Sequence, residues 1–419
     1  MRRVLLSSYL GSVVEFYDFL VYGTAASLVF GHLFFANLSP ILGTVAAFGT
    51  MAVGYVARPL GGIIFGHFGD RLGRKKMLVL TMILMGSAST LIGLLPTQAQ
   101  IGVLAPLLLI ALRLVQGLAI GGEWGGATLM ALEHSRSQKR GLSVGIVNAG
   151  APTGAVLAAS IMGLFAMLPE AQFMAWGWRI PFLLSAVLVV VALWVRLGVH
   201  ESPAFAKVQE QVKDQRKSPL AEVLREPKTL VQTVLAGATP TAIQSMLATF
   251  ALTIAVQGGA DRSTALFIAA IASVVNMFTL PCFAAMSDKV GRRPMLLAGL
   301  FIGAVLFYPV FSMIGSGETG KMFAGYVVGY GLIVGILMGI ISPFISEQFS
   351  TGSRYTGASI GYQLGATLGG GFAPMIAAQL LVFGGGTSLK YVVVFFVALS
   401  IISAIAVYTT RETSKSELS

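Results

Sequence analysis

Glu15, Asp18, Arg58, Arg113 and Glu123 each stand inside a long apolar run. A charge at membrane depth costs several kcal/mol unless it pairs, faces a polar cavity or exchanges a proton, so these residues are the first candidates for chemistry. Glu15 and Asp18 are three apart and Tyr22 lies four further on, which places all three on one helical face. That face is expected to line a cavity, with one of the two acids binding and releasing protons. In a later run Arg113, Gln116, Ile120 and Glu123 fall within about 80° of one another, with Trp124 at the edge of the stripe. Arg113 and Glu123 are about 15 Å apart along the axis and cannot pair directly. Arg113 then needs a first-helix carboxylate or a substrate, and Glu123 a substrate, a proton or a neighbouring helix. Guanidinium grips a carboxylate as a two-pronged fork that lysine cannot reproduce. Glu15, Asp18 and Glu123 are therefore candidate proton carriers, and Tyr22, Arg58, Arg113, Gln116 and Trp124 candidate substrate contacts.

The second half of the chain differs in kind. Its apolar runs hold neutral groups such as Gln244, Thr249, Asn276, Tyr330 and Gln363, with acids only near one end of the runs. Gln244, Tyr330 and Gln363 are its candidate contacts. His32, His134 and His200 lie near loops, His67 lies in a charged loop, and none has metal-ligand spacing. A single cysteine, Cys282, excludes an intramolecular disulfide and a cysteine metal cluster, and is expected to serve packing. The glycine-rich runs follow no strand, which argues against a nucleotide fold. No nucleophile–base pair is visible, so neither an enzyme nor a cofactor is expected; the one coupling ion foreseen is a proton.

These residues are positioned by an all-helical membrane protein. Hydrophobic residues make up 55% and charged residues 11% of the 419, against about 25% charged in a soluble domain, so much of the surface must face lipid. Runs of ~20 apolar residues or more argue for helices over barrel strands. Twelve spans are expected, at 10–31, 44–67, 77–96, 104–131, 141–167, 179–198, 229–257, 264–286, 295–315, 322–347, 355–383 and 389–410. The polar stretch 199–228, punctuated by Pro203, Pro219 and Pro227, reads as a linker between a six-helix bundle at 1–198 and a second at 229–419.

The net charge of +11 follows loop parity. With Arg2 and Arg3 on the cytoplasmic side, the same side receives Arg71, Arg74, Lys75, Lys76, Arg136, Lys139, Arg140, Lys289, Arg292, Arg293 and Arg354. The opposite side receives Arg179, Arg262, Lys321 and Lys390. Both termini are thus expected in the cytoplasm, and the basic excess reports topology, not nucleic-acid binding. Glu15 and Asp18 interrupt the first run too early for a cleavable signal peptide. One charge signature is written twice: Asp70, Gly73, Arg74 and Lys75 recur as Asp288, Gly291, Arg292 and Arg293, 218 residues on, and Glu133 with Arg140 recurs as Glu347 with Arg354, 214 residues on for the acids. Matched halves are what alternating access needs.

The loop GHFGDRLGRKK, the RLVQG of the fourth span and the duplicated layout resemble the major facilitator superfamily. VVEFYDFLVYG, LRLVQGLAIGGEWGGA, WGWRIPF, ESPAF and GFAPMIAAQL are similar to its metabolite:proton symporter family, nearest the shikimate permease branch. The resemblance implies that Asp70, Arg74, Glu133, Arg140 and Glu201 form one cytoplasmic clasp and Asp288, Arg292, Glu347 and Arg354 its counterpart. It implies a monomeric proton-coupled importer of a small organic acid or zwitterion in the inner membrane. An uncoupled facilitator, a proline- or betaine-type carrier, and a transporter-like sensor or channel are the alternatives. Saturation and counterflow separate a carrier from the last two.

Overall fold

A computed structural model describes residues 2–72, 74–121, 140–197, 223–349 and 354–413. Among these, eleven helices are long and apolar enough to cross a membrane: α1 Tyr9–Phe34, α2 Pro40–Phe65, α4 Leu104–Gly121, α5 Val144–Ala166, α6 Glu170–Trp194, α7 Pro227–Gln257, α8 Arg262–Val290, α9 Arg292–Gly315, α10 Thr319–Glu347, α11 Thr356–Phe383 and α12 Lys390–Thr409. The twelfth, α3, is the apolar part Val79–Leu94 of a helix that begins at Arg74 with three basic residues. All twelve expected spans are matched, most of them lengthened at one end or both; the expected end of the fourth, 122–131, lies outside the described residues. An even number of crossings puts both ends of the chain on one face, called here the terminal face; the other is the distal face.

Lipid-facing sides carry exposed Trp194, Phe301 and Phe383, a surface that only hydrocarbon tolerates. Cys282, expected in the packing, is exposed on α8. Inside the first six helices α2 packs on α4, α1 on α5 and α3 on α6; in the second six α7 packs on α11 and α12 and α9 on α12. The halves meet along α5–α8 and α2–α11. On the distal face Arg179 donates to the carbonyls of Gly93 (3.0 Å) and Leu95 (2.6 Å), satisfying acceptors that the end of α3 leaves without intrahelical donors. The motif WGWRIPF thus has a local structural use, with Trp178 buried in the core beside Phe30, Phe34 and Phe182.

Among the described residues, four helices contain a wide, π-type turn, at Ala26–Phe30, Phe173–Gly177, Gly329–Val334 and Thr367–Gly371. Such turns shift side chains out of regular register and recur at functional sites. Two of them, carrying Tyr330 and the glycines that face Tyr55, border the central cavity.

Candidate functional site

The α2–α4 crossing sets the first charge. A Cβ on Gly117 would stand 2.0 Å from the Gly54 carbonyl, and one on Gly121 would stand 1.9 Å from that of Arg58. The two backbones therefore touch, as small residues permit in lipid, and the guanidiniums of Arg58 and Arg113 both approach the Phe19 ring, at 5.3 Å and 5.6 Å. Arg58 turns toward the gap between the halves. It lines a narrow central cavity, partly open to solvent, together with Glu15, Tyr55, Gln244, Asn276 and Tyr330. Glu15 and Arg58 are the only charged side chains among its described lining residues. The Arg58 guanidinium lies over the ring of Tyr55 at 3.9 Å and that of Phe19 at 5.3 Å, each a cation–π contact strengthened by desolvation.

Four helices of the second half supply the neutral wall: Gln244 from α7, Asn276 from α8, Tyr330 from α10 and Tyr362 from α11. Asn276 is 2% exposed and its Oδ1 accepts no hydrogen bond. The border with α11 is closed by backbone approach: the Thr367 hydroxyl donates to the Tyr55 carbonyl at 2.8 Å, and a Cβ on Gly371 would meet Tyr55 at 2.7 Å.

The first helix is rotated relative to the expected arrangement. Glu15, Phe16, Phe19 and Leu20 line the cavity, a face roughly a quarter turn from the Glu15–Asp18–Tyr22 stripe at 100° per residue. Asp18 and Tyr22 are instead buried in the interior of the first half. Ser185 of α6 donates to Asp18 Oδ1, Oδ2 has no hydrogen-bond partner, and Tyr22 shares a hydrogen bond with Thr50. Arg113 lies in this interior too, 1% exposed, over the Tyr22 ring at 4.1 Å and close enough to Asp18 to interact through charge. Its Nη1 donates to Gln116 Oε1 at 3.0 Å, and Gln116 donates on to Ser89 at 2.6 Å. Of the stripe read from α4, Arg113, Gln116 and Ile120 are all buried, but Arg113 and Gln116 are not among the cavity's lining residues. Ser89, Ser185 and Thr50 are partners the sequence did not mark, since single hydroxyls in apolar runs are too common to signal anything.

Gln363 is also off the cavity lining; it is 2% exposed with Oε1 unpaired, while its neighbour Tyr362 lines the cavity. Glu123, Trp124, Glu133 and Glu201 lie outside the described residues, as do the side chains of Asp70, Arg74, Arg140 and Arg354.

The second-half charge cluster on the terminal face is described in full except for Arg354. Arg292 pairs with Asp288 at 2.6 Å and with Glu347 at 3.3 Å, and donates to Ser287 at 2.5 Å. This ties α8, α9 and α10 together within one half. Gly291, at φ 117° and ψ 149°, makes the turn between α8 and α9 in a conformation that only glycine adopts readily. A partner not foreseen is Glu412, beyond α12: its carboxylate accepts from the backbone N–H groups of Arg292 (3.0 Å) and Arg293 (2.8 Å), the unpaired donors of a helix N-terminus. Thr413 adds a 2.7 Å bond to Glu347. A lone acid near a chain end gives no hint of this, because the partner is 120 residues away.

A bundle of twelve spanning helices with a polar cavity between its halves defines a transporter, not an enzyme. The chain belongs to the major facilitator superfamily. The Sugar (and other) transporter model matches residues 4–245 and the Major Facilitator Superfamily model residues 234–419. The shikimate transporter of Escherichia coli K12 is 39% identical over 99% of this chain and 95% of its own. A proline/betaine transporter of the same strain is 30% identical over 100% of this chain and 85% of its own. Among solved structures, a D-xylose–proton symporter superposes with a TM-score of 0.76 at 17% identity, covering 100% of this chain and 99% of that one, which speaks for the fold.

Proposed function

We propose that this chain is a proton-coupled importer of a small organic acid, working by alternating access between its six-helix halves, 1–198 and 229–419, as a monomer in the cytoplasmic membrane with both termini inside. The observation that carries the reading is the charge content of the cavity: one acid, Glu15, and one base, Arg58. With Glu15 ionised the described lining is neutral. An organic anion entering alone would leave one net negative charge in a desolvated site, which is costly; an anion entering with a proton on Glu15 keeps the sum at zero. Arg58 then holds the carboxylate that Glu15 no longer balances. Asp18 is the second acid available to a proton, and it would act through Arg113 and the helix contacts around it instead of touching substrate.

The clasp Asp288–Arg292–Glu347, with Glu412 behind it, stiffens the end of the second half that must separate from the first when the site opens to the terminal face. Its counterpart at Asp70, Arg74, Glu133, Arg140 and Glu201 is proposed to work in the same way.

The test is uptake of radiolabelled shikimate, proline and succinate into energised right-side-out vesicles, with and without a protonophore. Accumulation above the external concentration that collapses with protonophore is expected for one organic acid. Glu15→Gln should abolish accumulation while sparing counterflow. Equilibration without accumulation in the wild type identifies an uncoupled facilitator and overturns the coupling.

A further inference from the structure

Away from the central cavity, the distal end of the second half carries another hollow. A cavity of about 760 Å³ lies between α9 and α12, bordered by the end of α7 and the loop residues 386–389. Its walls change character with depth. Ser316, Thr387, Ser388 and Lys390 stand at the distal mouth, while Tyr308 on α9 and Val393 and Val394 on α12 lie a turn or more deeper. Tyr308 and Val394 are more than half exposed, so the deep part opens sideways to hydrocarbon. Phe301 and Val305 continue the Tyr308 face along α9, and Ile401 and Ile405 the Val394 face along α12, all of them exposed. From Ser312 down to Phe301 the α9 face descends ~16 Å. That is close to the ~15 Å hydrocarbon depth of a single leaflet.

Lys390 is the only charged side chain among the cavity's described lining residues, and no described acid pairs with it. The next charges beyond Ser316, Glu318 and Lys321, pair with each other at 2.8 Å. The Ser388 hydroxyl only accepts, from the Lys390 N–H at 3.5 Å, which leaves its own hydrogen to give. We propose that this groove binds one phospholipid of the distal leaflet with a net anionic headgroup. Its phosphodiester sits on Lys390 and the hydroxyls of Thr387 and Ser388, and an acyl chain follows the α9–α12 seam. A soluble anion would use the mouth and leave the apolar seam empty. A lipid without net charge would fill the seam and leave Lys390 unmatched. The site is independent of what the central cavity carries.

The experiment places the full-length protein in phosphatidylcholine vesicles with a trace of phosphatidylglycerol or phosphatidylethanolamine carrying a diazirine on one acyl chain. After illumination, peptide mass spectrometry maps the cross-links. On the wild type, phosphatidylglycerol is expected to label the peptides around 301–312 and 390–401 about 5-fold more than phosphatidylethanolamine, the preference that one lysine near a bilayer supplies. It should also label them more than the exposed lipid-facing surface of α6 around Val190 and Trp194. Lys390→Gln should bring phosphatidylglycerol down to the phosphatidylethanolamine level, whereas Lys321→Gln, on the same face outside the groove, should leave the ratio within about 2-fold. Ser312→Phe, which fills the seam, should lower labelling by both lipids. The wild-type comparison needs no variant, so a misfolded substitution leaves the test intact. Equal labelling by the two lipids, or labelling no denser than on α6, means that the groove holds bulk lipid and overturns the proposal. A preference that survives Lys390→Gln overturns it as well. So does loss of the label to excess glycerol 3-phosphate, which would make this a site for a soluble anion.

Discussion

The interiors of the two halves solve the burial of polar groups in opposite ways. In α1–α6 an acid and a base are buried together and wired to hydroxyls: Ser185 donates to Asp18, and Arg113 donates to Gln116, which donates to Ser89. In α7–α12 the buried groups are neutral, and several acceptors or hydroxyls go unpaired, among them Asn276 Oδ1, Thr279 Oγ1, Tyr326 OH and Gln363 Oε1. The second half keeps its ions at the terminal face, in the Arg292 cluster. The buried ions also keep loose ends, Asp18 Oδ2 and Arg113 Nε, but each holds at least one partner, because a wholly unpaired buried charge costs far more than a neutral orphan. The first half is therefore fixed by its electrostatics, and the second is free to vary its polar wall.

The strongest way to break that contrast is to remove the buried cation. Arg113→Leu removes the buried cation whose charge acts on Asp18 and the donor that holds Gln116, and leaving a buried acid without compensating charge costs up to about 3–5 kcal/mol. The expected result is a large drop in yield and in the detergent melting temperature, with transport lost. Adding Asp18→Leu should recover much of the stability but none of the transport, a coupling that a double-mutant cycle reads directly. If Arg113→Leu melts like the wild type, the first half is not held by its ions.

Next in size is Arg292→Gln at the terminal face, which leaves Asp288 and Glu347 facing each other without their shared cation. Hydrogen bonds to charged groups contribute about 1.5–3 kcal/mol, and a loss of that order is expected, less than in the deeper site. Because the cluster joins α8, α9 and α10, the variant should also change the labelling of cysteines placed along the terminal-face vestibule. Unchanged labelling with a lowered melting temperature would make the cluster a structural brace and not part of the gate.

How much of this could be read in the sequence depends on what periodicity reports. Length and apolarity place α1–α12 to within a few residues at most ends, because the span is set by the hydrocarbon thickness. The same periodicity groups Arg113 with Gln116 and Glu15 with Asp18, but it gives relative angles within a helix and not the rotation of that helix against its neighbours. That rotation is set by packing, here by the close approach of Gly54, Gly117 and Gly121 at α2–α4 and by the contact of Gly154 with the Val13 carbonyl at α1–α5. So Glu15 faces the cavity and Asp18 does not, although their spacing alone puts both on the same face. Arg58, Gln244 and Tyr330, each read from the sequence as a candidate contact, line the cavity, and Asp288, Arg292 and Glu347, marked by the repeated loop signature, come together in one cluster. Glu412 is illegible in the sequence because a contact across 120 residues leaves no local pattern.

A smaller effect is expected in the second half's interior. Gln363 is buried, unpaired at Oε1 and off the described cavity lining, so it serves volume more than recognition. Gln363→Met keeps that volume and removes the orphan. Stability should stay within about 1.5 kcal/mol of the wild type, in either direction, and the apparent affinity in uptake should not move. Uptake that needs about 10-fold more substrate for half-saturation would place Gln363 at the substrate after all. That outcome would erase part of the contrast between a recognising wall and a tolerant interior.

The smallest effect belongs to a charge that neither interior contains. Asp261 caps α8 on the distal face, accepting from the Ser263 hydroxyl at 2.5 Å, the Thr264 backbone N–H at 3.0 Å and the Thr264 hydroxyl at 3.1 Å. The Ser263 hydroxyl first, and the Thr264 N–H next, hold its carboxyl below the ordinary carboxylate value. A carboxyl whose pKa is lower in the folded state stabilises the fold above its ordinary, unfolded value, and that contribution is lost as pH falls through the folded one. Loss of an N-cap acid costs about 1 kcal/mol. Asp261→Ala should therefore melt a few degrees below the wild type at neutral pH, with a gap that stays flat down to about pH 5 and narrows toward and below about pH 4. A gap that stays constant through this acid range would mean that the cap works as a neutral acceptor, without its charge. A gap that widens toward acid would reverse the sign of the linkage and remove Asp261 from the cap.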